Sequence, residues 1–404
     1  MHGKSDKLVP FWMGEKLFNM ANEPKYSFFY DSPIEPDMNN FSSKFCGCFF
    51  SSSSLLVGTV LTTSALLFSL AKIFSSRIID GVRPTASPFL VPVVLPNNGA
   101  GAASPINTII KEIEKACVNV GFFQITGHGI NLKEIKKTCE VGNKFFNLPV
   151  KTKRKLAPKK WNKKNKNLYR GYFPNDVNGK EGLDIGDLKV TKKYSSNINN
   201  QYIEHLNLSL CFNKNSIDIL NKYFDNIYRL SETLFKSVIK LNKKNPDISS
   251  AAFSRLKTLS TLRFNYYPNQ TKPVEVSKQD GVALGCETHV DSGVFTVLYQ
   301  DRKGGLQVQN RKNKKWYDVP FNQKALVVNT GGALEFLSKG KFKATNHRVL
   351  WNKSKRLSVP FFFEPSYDFK MNLSFLNENK SEKNGEIYEK FLKKSLKKFI
   401  EYQR

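Results

Sequence analysis

Cysteine and histidine are both scarce in this sequence of 404 residues, which contains six cysteines and five histidines. The cysteines form no Cys-x-x-Cys pair and no dense framework, so a disulfide-stapled scaffold is excluded and a reducing compartment is favoured. Because the histidines are few, only a small number of combinations could place two imidazoles on one metal ion.

Acidic residues are also under-represented, since 34 Asp and Glu stand against 63 Lys and Arg and leave a formal charge of +29. The lysines are scattered through loops such as residues 151–167, which hold one Arg and one Trp. Surfaces that bind polyanions usually carry clustered Arg or interleaved aromatic residues. Solvated loops are therefore the favoured interpretation, and a nucleic-acid partner is a less favoured alternative.

Charge is absent from Phe45 to Ala71, a run of 27 residues inside a leader predicted for 1–83. As a helix, this run is long enough to cross the hydrocarbon core of a bilayer, about 30 Å. We expect a membrane segment at 45–71, and a targeting or cleaved leader is the alternative. Positive charge is slightly heavier after the run, which favours a membrane-associated protein whose C-terminal part faces the cytosol. An organelle-targeted leader is the alternative location.

In the remainder of the chain, the pattern of apolar residues changes near residue 259. Before this point, apolar residues repeat at helical spacing in the stretches 106–120, 131–150 and 213–258. After it, eight short β-rich runs follow one another with turn signals between them, which predicts an antiparallel sandwich or jelly roll. The segment 386–402 repeats apolar residues at helical spacing, so we expect an amphipathic helix packed on the outside of the barrel.

The stretch "ETHVDSG" (287–293) places His289 and Asp291 two positions apart. In a strand these side chains face the same side, so one imidazole nitrogen and one carboxylate oxygen can reach the same point. His-x-Asp is common by chance, and alone it favours a polar pair in an ordinary strand. His347 in "ATNHRVLW" is the remaining histidine of the β-rich region, and with it the pair would complete a facial triad for non-haem Fe(II). His128 fits a turn better than a ligand position.

Arg356 and Ser358 follow His347 closely and are again two positions apart. Burying a guanidinium on a strand that lines a barrel is costly without an anion, so Arg356 predicts a carboxylate partner that Ser358 can share. This is the expected shape of a site for a keto acid. The order and spacing of all five residues support the metal-site interpretation more strongly than any pair does.

The chain from about 88 to 366 resembles the isopenicillin-N-synthase-like iron(II)/2-oxoglutarate-dependent dioxygenases. The segments "LRFNYYP", "ETHVDSGVFTVLYQD", "GGLQVQN", "VVNTGGALEFLSKGKFKATNHRVL" and "RLSVPFFFEP" occur in the order of that family, after "GFFQITGHGI". The resemblance implies an α+β fold with a double-stranded β-helix (jelly-roll) core, flanking helices and a helical N-terminal module. The corresponding predicted boundaries are 84–245 for the helical module, 246–370 for the catalytic jelly roll and 371–404 for the C-terminal helix.

The resemblance also implies Fe(II) as the metal, with 2-oxoglutarate and O2 as co-substrates. It assigns three iron ligands, two residues to the far carboxylate of 2-oxoglutarate, and two residues close to that co-substrate: His289, Asp291 and His347; Arg356 and Ser358; Tyr267 and Asn265. Tyr267 could equally be a packed core aromatic residue. In some relatives the Arg of Arg-x-Ser binds a substrate carboxylate or another co-substrate instead.

Three features depart from the family pattern: Gly332 stands where Asp is frequent, Gly127 stands where Asn is usual, and the spacing from His347 to Arg356 is one residue short. The expected activity is oxidation of a small-molecule substrate, most often hydroxylation, with release of succinate and CO2. One alternative is a catalytically silent relative that acts as a membrane-tethered binding or scaffold module. Another is a nucleic-acid or protein hydroxylase, for which a basic groove beside the iron would be diagnostic.

Overall fold

The computed structural model describes residues 92–94, 103–175, 179–189, 206–240, 252–269, 273–371 and 385–402, all within a compact unit that spans Arg83–Arg404. The leader 1–83, including the apolar run 45–71, lies outside the described residues, as do His2, Cys46, Cys48 and His205. Among the helices of the described ranges, none combines the length and apolar character that a membrane span needs. The membrane segment and the domain boundaries therefore stay predictions.

The helices are α1 (Ala103–Asn119), α2 (Leu132–Phe146), α3 (Val150–Lys153), α4 (Lys214–Lys240), α5 (Gly332–Leu337) and α6 (Tyr388–Leu396). Asn131 begins α2 as an N-cap, because its side chain accepts a hydrogen bond from the Lys133 amide at 2.8 Å. The amphipathic α4 lies against the sheet, where Phe224 packs edge-on against Phe361 with ring centres 5.1 Å apart.

The fifteen strands of the described ranges fall into two main sheets and one small hairpin. They are β1 (Pro92–Val94), β2 (Phe122–Thr126), β3 (Gly171–Phe173), β4 (Glu181–Ile185), β5 (Thr261–Tyr267), β6 (Glu275–Val276), β7 (Ala283–His289), β8 (Phe295–Gln300), β9 (Leu306–Gln309), β10 (Trp316–Asp318), β11 (Leu326–Thr330), β12 (His347–Leu350), β13 (Arg356–Phe363), β14 (Lys370–Met371) and β15 (Glu386–Ile387). All eight β-rich runs of the sequence form strands.

The larger sheet has eight strands in the order β1-β2-β11-β8-β13-β5-β4-β3, and the smaller has five in the order β10-β9-β12-β7-β6. The pairs are antiparallel except β1 with β2. Neighbours in space are distant in the chain, as a jelly roll requires. The predicted α+β jelly-roll fold with flanking helices is confirmed.

The larger sheet separates two apolar clusters. Val297 of β8 joins the cluster between this sheet and the helices, whereas Leu298 joins the cluster between the two sheets, together with Phe122 and Val349. This alternation follows from the period of two residues in a strand. Polar residues that point to the same side as Leu298 therefore project into the space enclosed by the two sheets.

The C-terminal segment differs from its prediction. Residues Tyr388 and Leu392 of α6 are buried in the core, as an outer helix would have them. However, Leu396, Phe399, Glu401 and Tyr402 line the cavity between the two sheets. The expectation that this segment packs on the outside of the barrel is therefore wrong for its last residues, because they line the cavity between the two sheets.

Candidate active site

His289, Asp291 and His347 converge at the open end of the two sheets. His289 is the last residue of β7 and His347 the first of β12, and the two are direct partners in the antiparallel pair. The Oδ1 atom of Asp291 lies 3.6 Å from Nε2 of His289 and 3.5 Å from Nε2 of His347. One ligand atom from each residue lies within 4.8 Å of the other two, in the only such group that the described ranges contain.

The two imidazoles are oriented by backbone carbonyl groups. Nδ1 of His289 donates to the Glu287 carbonyl at 2.8 Å, and Nδ1 of His347 donates to the Thr345 carbonyl at 3.2 Å. With the proton held on Nδ1, each Nε2 atom presents its lone pair toward Asp291. Each Nε2 is thus the atom that a metal ion would bind, or a proton when no metal is present.

Asp291 is oriented by two donors that sequence reasoning did not identify. Thr296 and Asn329 are cross-strand partners on β8 and β11, and both donate to Oδ2 of Asp291, at 2.6 and 2.8 Å. This leaves Oδ1 directed at His289 and His347. Asn329 and Thr296 belong to segments that carry the resemblance, but their partnership depends on a strand register that local patterns do not encode.

The electrostatics of the three residues His289, Asp291 and His347 favour binding of a divalent cation. Burial would raise the pKa of Asp291, but His347 and His289 outweigh burial and lower it well below its usual value. Burial would likewise lower the pKa of His289, whereas Cys286 and Asp291 raise it well above its ordinary value. Two imidazoles and one carboxylate on a single face, with the opposite side facing a cavity, form the donor set that suits Fe(II).

Arg356 lies beside this group with an unsatisfied guanidinium nitrogen. Nε donates to the Gly304 carbonyl at 2.7 Å, and the guanidinium stacks over the ring of Tyr267 at 4.8 Å. Nη1 is buried and has no hydrogen-bond partner in the part of the chain that the structure describes. A buried charged donor without an acceptor is costly, so this atom indicates an anionic ligand such as the carboxylate of 2-oxoglutarate.

All seven residues proposed from the sequence line one cavity. On the neighbouring strands β13 and β5, Arg356 pairs with Tyr267 and Ser358 pairs with Asn265. The four residues therefore form two cross-strand pairs, two positions apart along the strands. The short spacing between His347 and Arg356 does not displace Arg356 from the cavity. Gly127 adopts a φ of 66°, a region that both Gly and Asn tolerate, so its turn is preserved.

Several charged residues of the cavity were missed from the sequence. Arg263 forms a two-pronged ion pair with Asp184, with contacts of 2.6 and 2.7 Å, and also contacts Glu401 at 3.4 Å. Glu364 is buried, accepts hydrogen bonds from Tyr169 and Ser292, and has a pKa raised to about 8 by burial. Residues i and i+2 of a strand face the same side. Arg263, two positions before Asn265, could therefore have been assigned to the cavity from the sequence.

His128 does not join the site. It lies in the turn after β2, where its Nδ1 accepts a hydrogen bond from the Ile130 amide at 3.2 Å. The four cysteines of the described ranges, Cys117, Cys139, Cys211 and Cys286, form no disulfide. These observations agree with the roles expected for both residue types.

Known proteins are similar to this chain in both sequence and fold. The profile of the 2OG-Fe(II) oxygenase superfamily matches residues 258–365, and that of the N-terminal region described as non-haem dioxygenase in morphine synthesis matches 93–206. A probable iron/ascorbate oxidoreductase from Dictyostelium discoideum is 31% identical over 64% of this chain and 76% of that protein. A 2-oxoglutarate-Fe(II) type oxidoreductase from Aspergillus fumigatus is 30% identical over 65% and 77%.

Solved structures extend this similarity to the fold. A Neurospora crassa protein, solved in complex with alpha-KG and 5-formyluracil, superposes with a TM-score of 0.61 at 20% identity, over 75% of this chain and 94% of that one. A putative 2OG-Fe(II) oxygenase family protein from Caulobacter crescentus superposes with a TM-score of 0.60 at 20% identity, over 76% and 98%. From these matches and the donor set described above, the chain belongs to the 2-oxoglutarate/Fe(II) oxygenase superfamily and is a 2-oxoglutarate- and Fe(II)-dependent dioxygenase.

Proposed function

We propose that this enzyme binds Fe(II) through His289, Asp291 and His347 and oxidises a small molecule, by hydroxylation, with release of succinate and CO2. The observation that carries the proposal is the convergence of two Nε2 atoms and one carboxylate oxygen in the cavity that Arg356, with its unpaired Nη1, also lines. Either feature alone is compatible with a purely structural role. Together they supply a metal position and an anion position in one cavity.

The protein contributes orientation to this reaction. Bound Fe(II) and 2-oxoglutarate would supply the activation of O2, coupled to loss of CO2 from the keto acid. The carbonyl groups of Glu287 and Thr345 hold the imidazoles so that both Nε2 atoms stay available, and Thr296 and Asn329 hold the carboxylate. Outer partners of this kind keep the ligands in place before the metal arrives, which lowers the cost of binding it.

Arg356 and Ser358 would bind the far carboxylate of 2-oxoglutarate. Both are buried on β13 and line the cavity. The guanidinium of Arg356 stacks over the ring of Tyr267. The same cavity is lined by the apolar residues Leu298, Leu306 and Val349, which offer water no hydrogen bonds. A charged hydrogen bond in such a dry pocket is stronger than it would be in water.

A small-molecule substrate is favoured over a nucleic acid or a protein because the C-terminal segment covers the cavity. Leu396, Phe399 and Tyr402 stand at its mouth, and the ring of Phe399 packs edge-on against His289 with centres 5.3 Å apart. A polymer needs an open groove beside the metal, whereas a small molecule needs only an enclosed pocket. The complete set of ligand residues speaks against a catalytically silent relative.

The test is a measurement of succinate formed from 2-oxoglutarate by protein reconstituted anaerobically with Fe(II) and then exposed to air. Arg356→Ala should raise the Kd for 2-oxoglutarate by at least about 30-fold, because a buried charge pair is broken, while the metal stays bound. His289→Ala should lose the metal itself. Arg255→Ala, which breaks an ion pair with Asp187 and Asp225, controls for lost stability. If no iron-dependent succinate forms above the His289→Ala background, the proposal is wrong.

A further inference from the structure

Lys180 is a buried lysine in the active-site cavity that the proposed chemistry does not use. It precedes β4 directly, its side chain is 7% exposed, and it lines the same cavity as the histidines. Nζ lies 2.9 Å from Sγ of Cys286 and 3.8 Å from Oε2 of Glu287. A thiol is a weak acceptor, and the ion pair with Glu287 is longer than a hydrogen bond, so among the described residues that line or adjoin the cavity this ammonium has no carboxylate within hydrogen-bond distance.

Lys153 shows how the same fold satisfies a buried lysine that has a structural role. Its side chain is 3% exposed, and it forms an ion pair with Glu181, the residue next to Lys180. Nζ of Lys153 also donates to the Phe146 carbonyl at 3.0 Å. Lys153 thus has a carboxylate within hydrogen-bond distance, whereas Lys180 meets the Glu287 carboxylate only at 3.8 Å.

The other carboxylates that line the cavity are not available to Lys180. Asp184 and Glu401 are engaged by Arg263, and Asp291 is directed at the histidines. Glu364 has a pKa of about 8 and is therefore mostly protonated at neutral pH. Among the described residues that line the cavity, no carboxylate is therefore free to pair with Lys180, and its ion pair with Glu287 is 3.8 Å long.

The strand register places Lys180 beside Arg356. Glu181 pairs with Tyr266, so Lys180 is level with Tyr267, and Tyr267 pairs in turn with Arg356 on the next strand. The two cations therefore flank the Tyr267 ring across three neighbouring strands. We propose that Lys180 binds a second carboxylate in this pocket, which makes the site selective for an acidic ligand.

This inference rests on the proposed function, and the carboxylate has two possible sources. It belongs either to 2-oxoglutarate, which Lys180 would grip together with Arg356, or to an acidic prime substrate. In both cases the ammonium, which meets only a thiol and a carboxylate at 3.8 Å in the protein, keeps donors that a carboxylate ligand can accept from. A lysine with a structural role, such as Lys153, already donates to acceptors within the protein.

The first arm of the test compares the thermal stability of ligand-free protein after two matched changes. Lys180→Met should lower the Tm only slightly, because its ion pair with Glu287 is long and the Glu287 side chain left behind is 22% exposed and can be hydrated. Lys153→Met should lower the Tm, because Glu181 then stays buried without its partner. A loss of Tm in Lys180→Met as large as that in Lys153→Met would overturn the inference.

The second arm measures ligand binding by anaerobic calorimetry on the full chain loaded with Mn(II). If Lys180→Met raises the Kd for 2-oxoglutarate about tenfold or more, as expected for one lost charged hydrogen bond, the carboxylate is that of the co-substrate. If 2-oxoglutarate binds normally but the variant loses a preference of the 2-oxoglutarate-loaded enzyme for benzoate over benzyl alcohol, the carboxylate is that of the prime substrate. Lys180→Arg should retain part of either effect.

Unchanged binding of both probes in Lys180→Met would overturn the inference while the proposed function stands. Failure of the unaltered protein to bind 2-oxoglutarate would instead remove the proposed function, together with the inference that rests on it. Lys153→Met should bind both probes as the unaltered protein does, once its lower stability is allowed for.

Discussion

The role of a single residue in this site depends on which of its atoms already form hydrogen bonds within the protein. Asp291 illustrates this, since Thr296 and Asn329 occupy Oδ2 and so leave Oδ1 for the metal position. Arg356 is similar, because Nε is engaged by Gly304 while Nη1 has no partner. A ligand position is therefore recognisable from the hydrogen bonds that a buried polar group lacks.

Glu364 provides a prediction about pH. Burial raises its pKa to about 8 in the folded protein from an ordinary value of 4.5. Between these values the folded state retains a proton that the unfolded chain has lost, so the free energy of unfolding should fall as pH rises through this window. Glu364→Gln removes the titrating group and should remove this fall, with a gain over the unaltered protein of up to about 5 kcal/mol at pH 9.

The measurement is urea unfolding of both proteins in steps from pH 5 to pH 9. The two stability curves should diverge as pH rises and approach each other at the acid end, where Glu364 is protonated in both states. Parallel curves across the whole range would show that Glu364 does not titrate as its burial implies.

At the scale of elements, the segment after α6 has the clearest functional position. Tyr388 and Leu392 anchor α6 in the core, and the following turn brings Phe399 onto His289. The hydroxyl of Tyr402 also accepts a hydrogen bond from Arg263 and donates to Asp184 at 3.1 Å. The chain end therefore completes a wall of the cavity instead of only covering the outer face of the barrel.

Phe399→Ala should admit water to the metal position and increase the conversion of 2-oxoglutarate to succinate in the absence of a prime substrate. The physical reason is that exclusion of water protects the reacting groups from side reactions. Phe391→Ala is the matched control, because Phe391 is a half-buried phenylalanine of the same segment that contacts Phe336 and not the histidines. Equal uncoupled turnover in both variants, at equal iron content, would contradict a shielding role for Phe399.

At the scale of the whole molecule, the described residues form a unit from Arg83 to Arg404 that contains every residue of the proposed site. The sheets, the helices and the C-terminal segment all contribute to its cavity. We therefore expect that catalysis does not require residues 1–80, and that any attachment to a membrane depends on the apolar run 45–71.

Deletion of residues 1–80 should leave iron binding and succinate formation unchanged and should move the protein from the membrane pellet to the supernatant after ultracentrifugation of cell extracts. The full-length chain, expressed in the same cells, is the reference for both measurements. A truncated protein that still sediments with membranes would show that the run 45–71 is not the attachment, and a full-length chain in the supernatant would contradict the membrane prediction.

The sequence by itself predicted the eight strands after residue 259 and the jelly-roll class, and the resemblance to a known family added the assignment of the site residues to iron and 2-oxoglutarate. The grouping of His289 with Asp291 and of Arg356 with Ser358 follows from a local rule, because alternation places residues i and i+2 on one face of a strand. Tertiary structure alone decided which side chains support them. Thr296 meets Asn329, Lys180 comes level with Tyr267 and Arg356, and Phe399 reaches His289 only through contacts between segments distant in the chain. Local periodicity carries no information about such register or about the path of the last helix, so these contacts arise only when the barrel closes.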